Sequence, residues 1–149
     1  MIADALLAYL HFTAILILAS SLGAEALLLR AQVGAATLRA LARADLLYGI
    51  SSGVVIATGL ARLFYGAKGY AFHAGNPVFW AKLALFLAVG LLSIPPTLRF
   101  IRWRRALKTE PAFVPHESEL AATRRLVFIE LHLLALIPLA AVFMARGMG

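Results

Sequence analysis

Four apolar runs, each long enough to cross a lipid bilayer, constrain this 149-residue chain more than any other feature. They cover about residues 5–29, 45–65, 78–101 and 123–145. At a rise of about 1.5 Å per residue, some 20 residues of helix span the roughly 30 Å hydrocarbon layer. No water is available inside that layer to satisfy an open backbone, so each run must be helical. The expected fold is all-α, a single integral membrane domain over 1–149 built as a four-transmembrane-helix bundle. Composition agrees: hydrophobic types make up 62% of the residues and charged types 14%, too few to skin a soluble core of this size.

The first run is preceded by Asp4 and by no Lys or Arg, and carries no convincing cleavage site, so it reads as a span and not as a removable signal peptide. The second holds Ser51, Ser52, Gly53, Thr58 and Gly59, small residues that let helices approach closely in lipid. Residues 31–43 form an Arg-dotted, partly helical connection. Residues 66–77 form a turn-rich loop flanked by Tyr65, Tyr70, Phe72, Phe79 and Trp80, an aromatic belt with His73 in the water beside it. Pro77 opens the third helix, Pro95 and Pro96 loosen its far end, and Ser118 with Glu119 begins the fourth.

Basic residues set the expected orientation. Arg30, Arg39, Arg43, Arg99, Arg102, Arg104, Arg105, Lys108, Arg124 and Arg125 fall on one side; Arg62, Lys68, Lys82 and Arg146 fall on the other. The positive-inside rule makes the Arg-rich connections cytoplasmic and puts both termini and the 66–77 loop on the outer, periplasmic side of a bacterial inner membrane. The net charge of +7 is therefore read as a topology signal. It does not point to nucleic acid, because no soluble domain exists to present the charges as a groove. The lipid bilayer is the expected partner.

No Cys occurs, which removes disulfides, thiolate nucleophiles, iron–sulfur clusters and Cys-type zinc sites. No phosphate-binding loop, dinucleotide fingerprint or nucleophile elbow is present. Met1, Met144 and Met148 lie near the ends, which argues against copper handling.

Ionisable residues inside a span are costly, so function is sought among His11, Glu25, Asp45, Lys82, Glu130 and His132. His11 lies about six residues into the first span, roughly 9 Å down, and Lys82 about four residues past Val78, roughly 6 Å down. These two share a level, where one cofactor could touch both: His11 as a neutral imidazole ligand and Lys82 as a charge partner or, uncharged, a ligand. His132 sits nearer 20 Å from the same side and belongs to the inner half, so it pairs with His11 on one iron only if tilt or Pro138 changes the register. The blander alternatives are backbone-bonded histidines and a Lys82 that snorkels to the interface. Glu25, Asp45 and Glu130 lie toward the Arg-rich side, within sequence reach of Arg30, Arg43, Arg124 and Arg125 as ion-pair partners. The sharper alternative is a proton path from Glu25, Asp45 and Glu130 through His132 toward His11, with Lys82, Glu130 and Asp45 as the catalytic candidates.

The segments Ala8-Tyr9-Leu10-His11, Arg43-Ala44-Asp45-Leu46-Leu47-Tyr48-Gly49-Ile50, Thr58-Gly59-Leu60 and Phe79-Trp80-Ala81-Lys82-Leu83 carry a family resemblance. The chain resembles an uncharacterised predicted-membrane family, "domain of unknown function" two-two-one-four, and more widely the HemJ-type protoporphyrinogen oxidases and copper-resistance D proteins. The HemJ resemblance implies that His11 binds haem b and that Lys82, in its Trp-x-x-Lys-Leu setting, is important beside it. The chain departs from that pattern at Gly23-Ala24-Glu25 and Arg30 after the first helix, and at Glu130 and His132 in the last. The expected function is haem-b binding with a redox role, electron or proton transfer, served by a membrane redox partner and plausible as a homodimer. The alternative is a non-catalytic subunit packing within a larger membrane complex.

Overall fold

A computed structural model describes residues 2–65 and 69–146, with side chains at all of these except 69, 72, 73, 144 and 145. The expectations for Lys68 and for the side chains of Phe72 and His73 lie outside the described residues. The helices are α1 (Ile2–Leu28), α2 (Ala35–Tyr65), α3 (Gly69–Ala74), α4 (Pro77–Thr109) and α5 (Glu117–Ala145), and no strand occurs among the described residues. All but the short α3 are long and apolar enough to cross a membrane. The fold is the expected all-α bundle of four spanning helices.

The helices overrun the expected spans at the Arg-rich end. α2 absorbs most of the 31–43 connection, because Ala, Leu and Arg dominate from Ala35 onward and nothing there breaks a helix. α4 continues through Pro95 and Pro96 to Thr109, so the prolines do not end it. Their missing N–H groups leave the carbonyls of Leu91 and Leu92 without helical donors on a helix that otherwise satisfies itself. α4 begins on a cap: the Val78 N–H donates to Asn76 Oδ1 at 2.8 Å, with Pro77 at the first helical position. α5 starts at Glu117, where the His116 ring accepts from the Ser118 N–H at 3.3 Å and Glu117 and Glu119 face the positive end of the helix dipole.

The bundle closes as a ring in which α1 lies along α2, α4 lies along α5, and the α2–α4 and α1–α5 seams join the two pairs. The buried residues of α5 follow a 3–4 heptad spacing: Leu120, Thr123, Val127, Glu130 and Leu134. α1 repeats it with Leu18, Leu22, Glu25 and Leu29. This is the spacing of helices packed knobs into holes, and here polar residues occupy some of the inward positions.

Most of the bulky buried side chains lie in the Arg-rich half. Trp103 is fully enclosed, meets Phe100 edge to face, and donates from Nε1 to Glu119 Oε2 at 3.0 Å. Arg102 pairs with the same carboxylate. Arg99 donates to the Thr123 hydroxyl at 3.0 Å, while Arg124 reaches the Leu29 carbonyl at the end of α1 (2.6 Å) and Glu117 (2.7 Å). Polar ties of this kind matter in a bilayer, where helices gain no hydrophobic drive to associate because lipid tails are as apolar as leucine.

Candidate functional site

Two groups of polar side chains stand within the bundle, one toward each end. Toward the loop end, His11 of α1 is half-buried with its Nδ1 2.8 Å from the Thr58 hydroxyl of α2. Thr58 in turn donates to the Val54 carbonyl at 2.6 Å, the back-bonding that a mid-helix threonine uses when it faces a neighbouring helix. Since that hydroxyl has given its hydrogen to the backbone, it accepts from the imidazole, which sets the tautomer with the hydrogen on Nδ1. The Val55 backbone is a further hydrogen-bond partner of the ring, and with the hydrogen on Nδ1 the ring's lone pair falls on Nε2. Gly59 lies under the ring: a Cβ there would lie 3.4 Å from His11 Cε1, so an alanine would fit in ordinary contact and a larger side chain would not.

Two cations share this end. Lys82 of α4 and Arg62 of α2 both interact electrostatically with His11. The Lys82 ammonium also sits 5.7 Å from the centre of the Phe79 ring, and the Arg62 guanidinium 5.4 Å from that of Phe12. The common level of His11 and Lys82 that follows from counting helical rise is thus matched by their placement. Tyr9, Phe12 and Trp80 face outward around them.

Fourteen residues further along α1, about 21 Å by helical rise, comes the second group. Glu25 of α1, Asp45 of α2 and Glu130 of α5 all point into the core, at 2%, 9% and 1% exposure. Glu25 interacts electrostatically with both Asp45 and Glu130. From α4, the Thr97 hydroxyl donates to Asp45 Oδ1 at 2.6 Å, so every spanning helix contributes. Tyr48 is buried beside them, interacts with all three carboxyls, and hydrogen-bonds Ser93.

The expected ion pairs between these carboxyls and Arg30, Arg43, Arg124 or Arg125 do not form among the described residues. The ion pairs found are Arg102 with Glu119 and Arg124 with Glu117. Direction explains the correction: the carboxyls lie on the inward seam, whereas Arg30, Arg43 and Arg125 face outward, and Arg124 is held by the Leu29 carbonyl. Oε1 of Glu25 and of Glu130 is buried without a hydrogen-bond partner among the described residues.

His132 faces outward, with Nδ1 2.7 Å from the Phe128 carbonyl of its own helix and its ring 4.1 Å from that of Phe128. It lies two residues from Glu130, a rotation of roughly 200° about the helix, and so occupies the opposite face. The structure therefore brings together neither His132 with His11 nor His132 with the carboxyls, and a proton path through His132 is not supported. Thr58, Arg62, Tyr48 and Thr97 went unrecognised as partners in the sequence. Apolar residues lie all round α5, so no sequence signal separated the inward Glu130 from the outward His132.

A cavity of about 170 Å³ lies on the α2–α4 seam, lined by Tyr48, Ser52, Ile56, Phe86, Ser93 and Thr97 among others. Among the described residues no three His, Asp or Glu side chains cluster as a metal ion would require.

A family model whose members are described only as predicted membrane proteins matches residues 3–149. No curated protein and no solved structure matches the chain.

Proposed function

The chain belongs to that family of predicted membrane proteins, DUF2214, and from this premise we propose that it is a haem-b-binding protein with a redox role in a bacterial inner membrane, HemJ-like in its use of His11 and Lys82. One observation carries the reading: the imidazole is held through Nδ1 by a hydroxyl on a neighbouring helix, 2.8 Å away, and with the hydrogen on Nδ1 the lone pair falls on Nε2. An axial histidine needs this arrangement, since the hydrogen bond on one nitrogen fixes the ring and raises the basicity of the other.

The donor set fits the group. Nε2 of His11 is the first ligand. Lys82 and Arg62 supply positive charge for the two propionates, and the outward aromatic rings of Tyr9, Phe12 and Trp80 offer an apolar rim. These rings are exposed, so lipid or a second copy of the chain would complete the wall. When bound, a b-type haem supplies one-electron chemistry, and a membrane redox partner would exchange those electrons. The protein's own part is to orient the imidazole and hold charge beside it. By the positive-inside rule this end faces the periplasm.

The test is an absorption spectrum of the detergent-purified protein, oxidised and reduced, after expression with ample haem. A Soret band is expected, and His11→Ala should abolish it while Thr58→Val shifts it. A colourless parent protein, or a band untouched by His11→Ala, refutes the reading.

One observation favours a second reading, a non-catalytic subunit of a larger complex. Gly49 and Gly53 stand four apart on the outward face of α2 with open space where a Cβ would be, the spacing that lets a further helix approach closely. Gly53→Leu should then reduce the mass of the detergent-solubilised assembly, and an unchanged mass removes this alternative.

A further inference from the structure

We infer that Glu25, Asp45, Glu130 and Tyr48 form a buried proton-exchange site, served by the hydroxyl-lined cavity between α2 and α4. The inference is independent of haem.

The groups facing the site can be named helix by helix. α1 gives Glu25, α2 gives Asp45 and Tyr48, α4 gives Ser93 and Thr97, and α5 gives Glu130. Among the described residues no cation joins them, and the nearby arginines are engaged elsewhere: Arg99 on Thr123, Arg102 on Glu119, Arg124 on Leu29 and Glu117. An ionised carboxylate in a low-dielectric core without a counter-ion or a donor is prohibitively costly, and three like charges together are worse. Protons must therefore accompany the carboxyls. The two orphaned oxygens, Oε1 of Glu25 and of Glu130, are the independent sign of a missing ligand. A metal ion is disfavoured by the absence of ligand clustering among the described residues. Thr97 donates to Asp45 Oδ1, a hydrogen bond that a carboxyl accepts in either protonation state.

A buried proton is useful only if it can leave. The cavity offers a route, because Thr97, which donates to Asp45, and Tyr48, buried beside the carboxyls, also line it together with Ser52 and Ser93. It is roomy enough for several water molecules, with these hydroxyls as their partners in an otherwise apolar lining. On α4 its lining runs from Thr97 to Phe86, about 16 Å of helical rise toward the level of Lys82 and His11. The prolines contribute as well: the Leu91 and Leu92 carbonyls, deprived of their N–H donors, become acceptors at this height. Each exchange passes one proton from a carboxyl to a hydroxyl or water of the cavity and returns one by the same chain, so atoms and charge balance.

Infrared spectroscopy of the intact protein in detergent at neutral pH reads this directly. The carbonyl band of a neutral carboxylic acid is expected, with partial loss in Glu25→Gln and in Glu130→Gln and a deeper loss in the double variant, which leaves the contribution of Asp45. It should shift down on transfer to D2O without unfolding, and Ser93→Val should slow that shift at least several-fold. If a Gln variant fails to fold, Thr97→Val serves instead, because removing the donor to Asp45 changes the hydrogen bonding of that carboxyl and must move its band. Absence of the band, or a band deaf to D2O, overturns the proposal. Loss of the band when choline is replaced by sodium overturns it in favour of a cation site.

Discussion

Replacing Glu25 by methionine should make this protein more stable. Glu25 is 2% exposed, and its Oε1 finds no hydrogen-bond partner. A buried polar group left unsatisfied costs about 1–3 kcal/mol. Methionine is similarly long and unbranched, fills the same slot and removes the unmet group. Glu25→Met is therefore expected to stabilise the folded bundle by about 1–3 kcal/mol, a rise in melting temperature of roughly 2–12 °C for a chain of this length. Glu130→Met, at 1% exposure with the same orphaned atom, should behave alike. Because Glu25 and Glu130 interact, the double variant should gain less than the sum of the singles. Glu25→Gln is the control: it keeps a polar head in the same place and should melt within about 1 kcal/mol of the parent. The assay is thermal unfolding in a fixed detergent. A Met variant that melts below the parent while the Gln variant is unchanged would show that the carboxyl makes a stabilising contact, and the reasoning would fail. The expected result means that stability is given up at this position, as it commonly is where a protein keeps a functional group.

Three further outcomes can be checked. Trp103→Phe keeps most of the packing against Phe100 but loses the 3.0 Å bond to Glu119, and should cost about 1.5–3 kcal/mol in the same melting assay; a change inside the scatter of repeat melts refutes that role. Gly59→Ala should be nearly silent, since its Cβ meets His11 Cε1 at an ordinary 3.4 Å, whereas Gly59→Leu should push the ring off Thr58 and speed its modification by diethyl pyrocarbonate, followed by mass spectrometry; equal rates in Gly59→Leu and parent would sink this account. The chain has no cysteine, so single cysteines report orientation on a clean background: Gly75→Cys should react with an impermeant maleimide in intact cells and Ala112→Cys only after permeabilisation, and the reverse pattern inverts the topology.

Chain position along a helix was legible from the sequence, and rotation about the helix was not. The apolar runs declared four spans because a bilayer accepts nothing but closed backbone hydrogen bonding. Counting rise then put His11 level with Lys82, and Glu25 and Glu130 on the Arg-rich side. Which way each side chain points depends on the contacts of packed helices. In lipid, outward and inward faces are both apolar, so hydrophobic patterning does not separate them as it does in water. Glu25 and Arg30 look like natural partners along the chain, yet one faces the core and the other faces away.

The amino-acid sequence by itself determined that this protein is helical, spans a membrane four times and buries ionisable groups where lipid makes them costly. Only the tertiary structure decided which of those groups meet. His11 finds Thr58 across 47 residues of chain and Asp45 finds Thr97 across 52, while Glu25 and Glu130 turn inward and His132 turns away. The physical reason is that hydrogen bonds between helices are set by the register and rotation of packed neighbours, which no local stretch of sequence specifies.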